Sequence, residues 1–176
     1  MENSLSQITL KGLEYLAVID AGGYFGWPID FELMNASQSE IEVTLGHWFG
    51  SNRWKNDGDY FIQFGQDGTG SLFCFWYYDG LIGEPPVVFL GSEGASCLVA
   101  KDSTDFIKQI TSGKLFFDGD WSESDEDDKE SIDWAKLKEL AQKLVGSFNE
   151  SPEDLMKQAS EKHPNFQLWV QSKLEY

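Results

Sequence analysis

Leu72, Phe73, Cys74, Phe75, Trp76 and Tyr77 place large apolar or aromatic groups on both faces of an extended chain. Side chains alternate between the two faces of a strand, so a run of this kind has to be covered on both sides. It follows Gly65-Gln66-Asp67-Gly68-Thr69-Gly70. Asp-Gly with flanking glycines tolerates positive φ and marks a hairpin-type loop of several residues. Tyr60 to Phe64 precedes that loop, and Val87 to Leu90 and Cys97 to Ala100 follow the Pro85-Pro86 pair. Ser71 to Tyr78 is therefore expected to be the central strand of an antiparallel scaffold. Helices should cover one face, and the C-terminal region or a partner the other.

The remaining periodicity supplies the helices. Leu10, Leu13 and Leu16 predict a helix over 8–21, stopped at Gly22-Gly23. Trp27 to Phe31 and Ile41 to Leu45 read as strands or extended pieces, and Trp48 to Asn56 as a short helix or a loop. Ser103 is expected to cap a helix with Phe106, Ile107 and Ile110 inside and Gly113 as its stop. Trp134 to Phe148 is amphipathic at helical spacing. Ser151-Pro152-Glu153-Asp154 opens another helix, and Phe166 to Val170 begins a last one. The expected class is α+β: a mixed, mainly antiparallel sheet flanked by helices, with a C-terminal helical extension. One domain suits 176 residues. It divides into a body at 1–117, an acidic loop at 118–133, and helices at 134–176 packed on the same body.

Charge is distributed unevenly. The net charge is −17, and residues 118–133 carry nine acids against one base, while 134–176 is neutral. Phosphate binding needs lysine and arginine, and the chain has a single arginine, Arg53. Nucleic acid and anionic membrane are excluded as primary partners, because a field of this sign repels both and attracts basic proteins. So dense a like-charge block reads as a mobile loop, since it has little apolar surface to bury. No basic-plus-apolar leader and no 18-residue apolar run occur in the sequence. An intracellular chain without an anchor is expected.

Reactive chemistry is sparse. His47 and His163 are the only histidines. Cys74 and Cys97 lie inside strand-like runs and read as inert, buried thiols of a reducing compartment. Zinc-ligand spacing is lacking, and the acidic block does not match the twelve-residue calcium loop. The Gly65 to Gly70 loop has no Lys-Ser/Thr after it, so it is no phosphate cradle. No catalytic residue, metal or cofactor is expected.

The order of these elements resembles the SUKH superfamily, which includes Smi/Knr-type fungal cell-wall regulators and many bacterial immunity proteins. The likeness spans about residues 10–112. It rests on Gly22-Gly23, the Gly65–Gly70 turn between strands, Val87-Val88, and Ser103-Thr104-Asp105-Phe106-Ile107. The resemblance implies an α+β fold and no enzymatic activity. For a bacterial chain it implies cytoplasmic immunity: binding and neutralising a toxin domain, often a nuclease. It carries structural roles onto Gly22, Gly23, Gly68 and Gly70, and a turn-forming role onto Asp67. The family's N-terminal helical lead-in is usually longer, and residues 118–176 lie outside the likeness.

A nuclease presents a basic cleft, and an inhibitor that sets carboxylates where phosphates would sit gains fast, salt-sensitive association. Asp118, Asp120, Glu123, Asp125, Glu126, Asp127 and Asp128 are the candidate contacts, with Trp121 as an apolar anchor. A solvated linker is the competing reading of the same block. Trp54, between Arg53 and Lys55, is expected at the surface and joins the contact set. Trp48, Trp54, Trp76 and Tyr77 could otherwise line an aromatic groove, and a closed apolar pocket there would instead indicate a small-ligand site. The expected partner is a basic protein, in first place a cognate toxin domain; a homo-oligomer is compatible with the sequence. The alternative is an intracellular adaptor of the Smi/Knr type that makes contact through its C-terminal helices.

Overall fold

In the structure, a computed structural model, residues 5–174 are described, with the side chains of all but Asn56 and Asp57. Helix α1 (Gln7–Ala21) starts at Ser6, whose hydroxyl accepts the Thr9 N–H at 3.0 Å. It ends at Gly22, and Gly23 turns the chain with φ +79°. Five strands follow along the chain: β1 (Phe31–Leu33), β2 (Tyr60–Asp67), β3 (Leu72–Tyr77), β4 (Val87–Leu90) and β5 (Ser96–Ala100). They form one sheet in chain order, every neighbouring pair antiparallel, with β3 in the middle. The α+β class and the central strand are as expected.

Both faces of β3 are covered. Phe73 and Phe75 face a core shared with Leu16 and Ile19 of α1. The same core takes Phe106, Ile107 and Ile110 of α3 (Ser103–Ile110), and Leu137 and Ala141 of α5 (Trp134–Val145). Leu72, Cys74 and Trp76 face a second core with α2 (Gln38–Phe49), α6 (Pro152–Lys162) and α7 (Phe166–Leu174). Trp76 packs edge-on against Phe166 at 4.9 Å. Burying one large apolar side chain stabilises by roughly 1.5–3 kcal/mol. Loss of α6 and α7 would expose several such groups on β3 to β5, so these helices belong to the body.

The pairing of β2 steps from Gln63↔Cys74 to Gly65↔Phe73, a bulge at Phe64. The extra residue stays useful: the Phe64 ring stacks on Phe75 at 4.4 Å. Gly65 has to be glycine, because a Cβ there would meet the Phe31 ring at 2.3 Å.

Three expectations are corrected. Ile41 to Leu45 is helical, inside α2. Ser37 and Glu40 form a reciprocal capping box, and Ile41, Leu45 and Phe49 repeat every four residues on the buried side. Trp27 to Phe31 is mainly turn, with a cis Trp27-Pro28 bond, and only Phe31 enters β1. Asp102, not Ser103, caps α3, accepting the Asp105 N–H at 2.8 Å.

The acidic stretch is also more structured than a loop. Strands β6 (Lys114–Phe117) and β7 (Asp120–Glu123) form a second, two-stranded sheet, and α4 (Glu126–Ser131) follows. A boundary between 117 and 118 would cut this hairpin at its turn. Among the described residues no helix is long and apolar enough to cross a membrane.

Candidate partner-binding surface

Phe117 pairs with Asp120, so Asp118 and Gly119 alone make the hairpin turn. Both have positive φ, +47° and +98°. Two such residues in a two-residue loop match the right-handed twist of the strands, and Asp-Gly is the pair that tolerates them best. The turn therefore follows from local sequence, and it sets Asp118 and Asp120 at an exposed tip.

The acids after the hairpin form α4 for an equally local reason. Asp125 accepts the Asp128 N–H at 2.8 Å, and Asp128 accepts the Asp125 N–H at 3.1 Å. Carboxylates in a first turn also offset the positive end of the helix dipole. Trp134 closes the far side, donating its indole N–H to the Asp128 carbonyl at 3.0 Å.

The seven candidate carboxylates thus differ in what they do. Asp125 and Asp128 cap their own helix. Glu123 pairs with Lys114 at 3.1 Å and Glu126 with Lys129 at 3.3 Å, though both carboxylates stay largely in water. The side chains of Asp118, Asp120 and Asp127 are exposed and, among the described residues, form no hydrogen bond or ion pair.

Several contacts fix this acidic element to the body. Phe116 packs against Phe73 at 5.7 Å and Phe89 at 5.1 Å. The Cys97 thiol lies 3.9 Å from the Gly119 carbonyl. Ser124 donates to the Gly113 carbonyl, and Lys114 reaches Glu153 of α6 at 2.6 Å. The tip adjoins the β2–β3 and β4–β5 turns, where Asp67, Thr69, Ser92, Glu93, Phe117 and Asp118 surround a hollow of about 80 Å³. Asp67 organises its own turn, accepting from the N–H groups of Thr69 and Ser71 at 2.9 and 3.0 Å. Gly68 donates to Asp30 at 3.1 Å, and Gly70 takes φ +84°.

The aromatic candidates are placed differently from expectation. Trp54 is 1% exposed, held in a 3-10 turn (Arg53–Gly58) and stacked near Phe49 at 6.4 Å. It is a core residue and cannot touch a partner; the turn rotates it inward while Lys55 reaches out to Glu42 at 2.8 Å. Trp121 packs inward on Phe116 at 5.0 Å with its indole nitrogen buried, so it is no protruding anchor. In the acidic hairpin the exposed ring is Phe117, 70% in solvent and next to the turn. Its alternation with Phe116 across the strand is the signal that could have found it. The four aromatics of the supposed groove do not converge: Trp48, Trp54 and Trp76 belong to one core, and Tyr77 lies on the opposite face of the sheet.

The remaining reactive groups are held in quiet settings. Burial pushes the Cys74 thiol far up, and it pushes the Cys97 thiol, which also faces Asp120 and Asp118, up to about 12. Both cysteines are free thiols. His163 is buried and hydrogen-bonds the Tyr78 hydroxyl through Nδ1 at 2.7 Å. Among the described residues no cluster of three or more His, Cys, Asp or Glu could hold a metal. No family model, curated protein or solved structure matches the chain.

Proposed function

We propose that the chain is a non-enzymatic, cytoplasmic immunity protein of SUKH type. It binds a basic toxin domain, in first place a nuclease, and covers the surface that would hold the nucleic acid. One observation supports this reading above the others: the acidic stretch is anchored to the sheet yet turns Asp118 and Asp120 to solvent beside an exposed Phe117, with Asp127 exposed on α4. A partner meeting a prearranged set of charges gives up less ordering entropy than one meeting a loose chain. Carboxylates at the rim speed the encounter, and an aromatic ring among them supplies apolar contact.

The direct test uses a toxin domain encoded by the neighbouring reading frame. Added in equimolar amount, the chain should abolish nucleic-acid cleavage by that domain, and Phe117→Ala with Asp118→Asn and Asp120→Asn should restore much of it. Cleavage unaffected by the native chain would contradict the reading.

A further inference from the structure

Between β3 and α7 lies a groove of about 320 Å³, lined by Asp59, Trp76, Tyr78, Asp79, Trp169 and Lys173 among others. Its aromatic side is continuous: Trp76 is 4.4 Å from Tyr78 and 5.3 Å from Trp169. Its acidic side is built. The Asp59 side chain is 6% exposed and accepts the Trp169 indole N–H at 2.7 Å and the Asp79 N–H at 3.2 Å. Such a carboxylate is removed from water and fixed in direction before anything binds.

A cation already stands in this groove. Lys173 Nζ is 3.9 Å from Asp59 and 5.5 Å from the centre of the Trp169 ring, and its side chain is 12% exposed. A charge-assisted bond closes at about 2.7–2.9 Å, so the ammonium occupies the site without completing the contact. Asp79 is exposed and has no ion pair among the described residues. Two carboxylate residues therefore line the groove against one ammonium, which only Asp59 engages, and loosely.

We propose that this groove is a second binding site, one that takes an arginine side chain from a basic protein partner, with Lys173 as the chain's own placeholder. A guanidinium is planar and weakly hydrated; it stacks on indole rings and forks onto carboxylates, neither of which an ammonium does well. The excess of carboxylate leaves a place for it once Lys173 swings out. No residue of the hairpin takes part, so the groove stands or falls separately from the toxin reading.

A blocked Gly-Arg-Gly peptide and its citrulline counterpart, equal in shape and uncharged, serve as probes. Each is titrated into the full chain while the Trp169 indole N–H resonance is followed by NMR. The arginine peptide should shift that resonance saturably, and the citrulline peptide should not. Lys173→Ala should tighten binding about threefold by vacating the site, and Asp79→Asn should weaken it; both substitutions keep the Asp59 and Trp169 side chains whose bond reports, and each variant's shift is read from its own peptide-free spectrum. Equal shifts from both peptides, no saturation, or affinity unmoved by both substitutions would overturn the proposal.

Discussion

Lys114 of β6 and Glu153 of α6 stand 2.6 Å apart across 39 residues of chain, and the same ammonium also meets Glu123 of β7 at 3.1 Å. One base thus ties the hairpin to the C-terminal helices. The tie lowers the Glu153 carboxyl and raises the Lys114 ammonium. A lowered carboxyl contributes stability that is present above its unfolded value and lost as pH falls through its folded value. A raised ammonium contributes stability that is lost only at pH above the ordinary lysine range.

Lys114→Met should therefore cost little at neutral pH, about 0.5 kcal/mol for so exposed a pair. The difference from the native chain should shrink as pH is lowered through the carboxylate range. Urea midpoints of both proteins across that range measure it.

Trp54→Ala should destabilise by about 3–5 kcal/mol, as for other large rings removed from a core. A surface Trp54 would give almost none, so a single denaturation curve separates the two placements.

His163 is held neutral: burial, and then the Lys162 charge, lower its pKa. The unfolded chain takes up this proton near the ordinary value of 6.5, while the folded chain does so only at lower pH. The unfolded state binds more protons in that window, so stability falls as pH drops through it. Replacing His163 with Gln should flatten the stability profile just below the ordinary histidine value, which denaturation at a series of pH values will show.

Gly12 of α1 faces Ser103 of α3, and a Cβ at Gly12 would stand 2.5 Å from the Ser103 Cβ. Gly12→Ala should cost roughly 1–3 kcal/mol by overpacking. Adding Ser103→Gly should recover part of that loss, read from thermal melts of the single and double variants.

The architecture was legible where burial alone dictates residue type. Leu72 to Tyr77 needs cover on two sides, and the cover proved to be α1, α3 and α5 on one and α2, α6 and α7 on the other. Legibility failed where two periods compete. Ile41-Glu42-Val43-Thr44-Leu45 alternates like a strand, but the Ser37–Glu40 capping box and the four-residue repeat through Phe49 decide for helix. In the acidic stretch, charge density masked a strong local signal, the Asp118-Gly119 turn between two short strands. Trp54 shows a different limit. Charged neighbours in sequence say nothing about depth when a tight turn points adjacent side chains in opposite directions.

The central claim is that a fixed acidic face meets a basic protein. Its most direct measurement is the association rate with the toxin domain of the neighbouring reading frame, taken across a salt series. The native chain should slow by about tenfold or more from low to physiological salt. A variant with Asp118, Asp120 and Asp127 changed to Asn should start slower and depend less on salt. Rates equal for the two proteins and indifferent to salt would contradict the account.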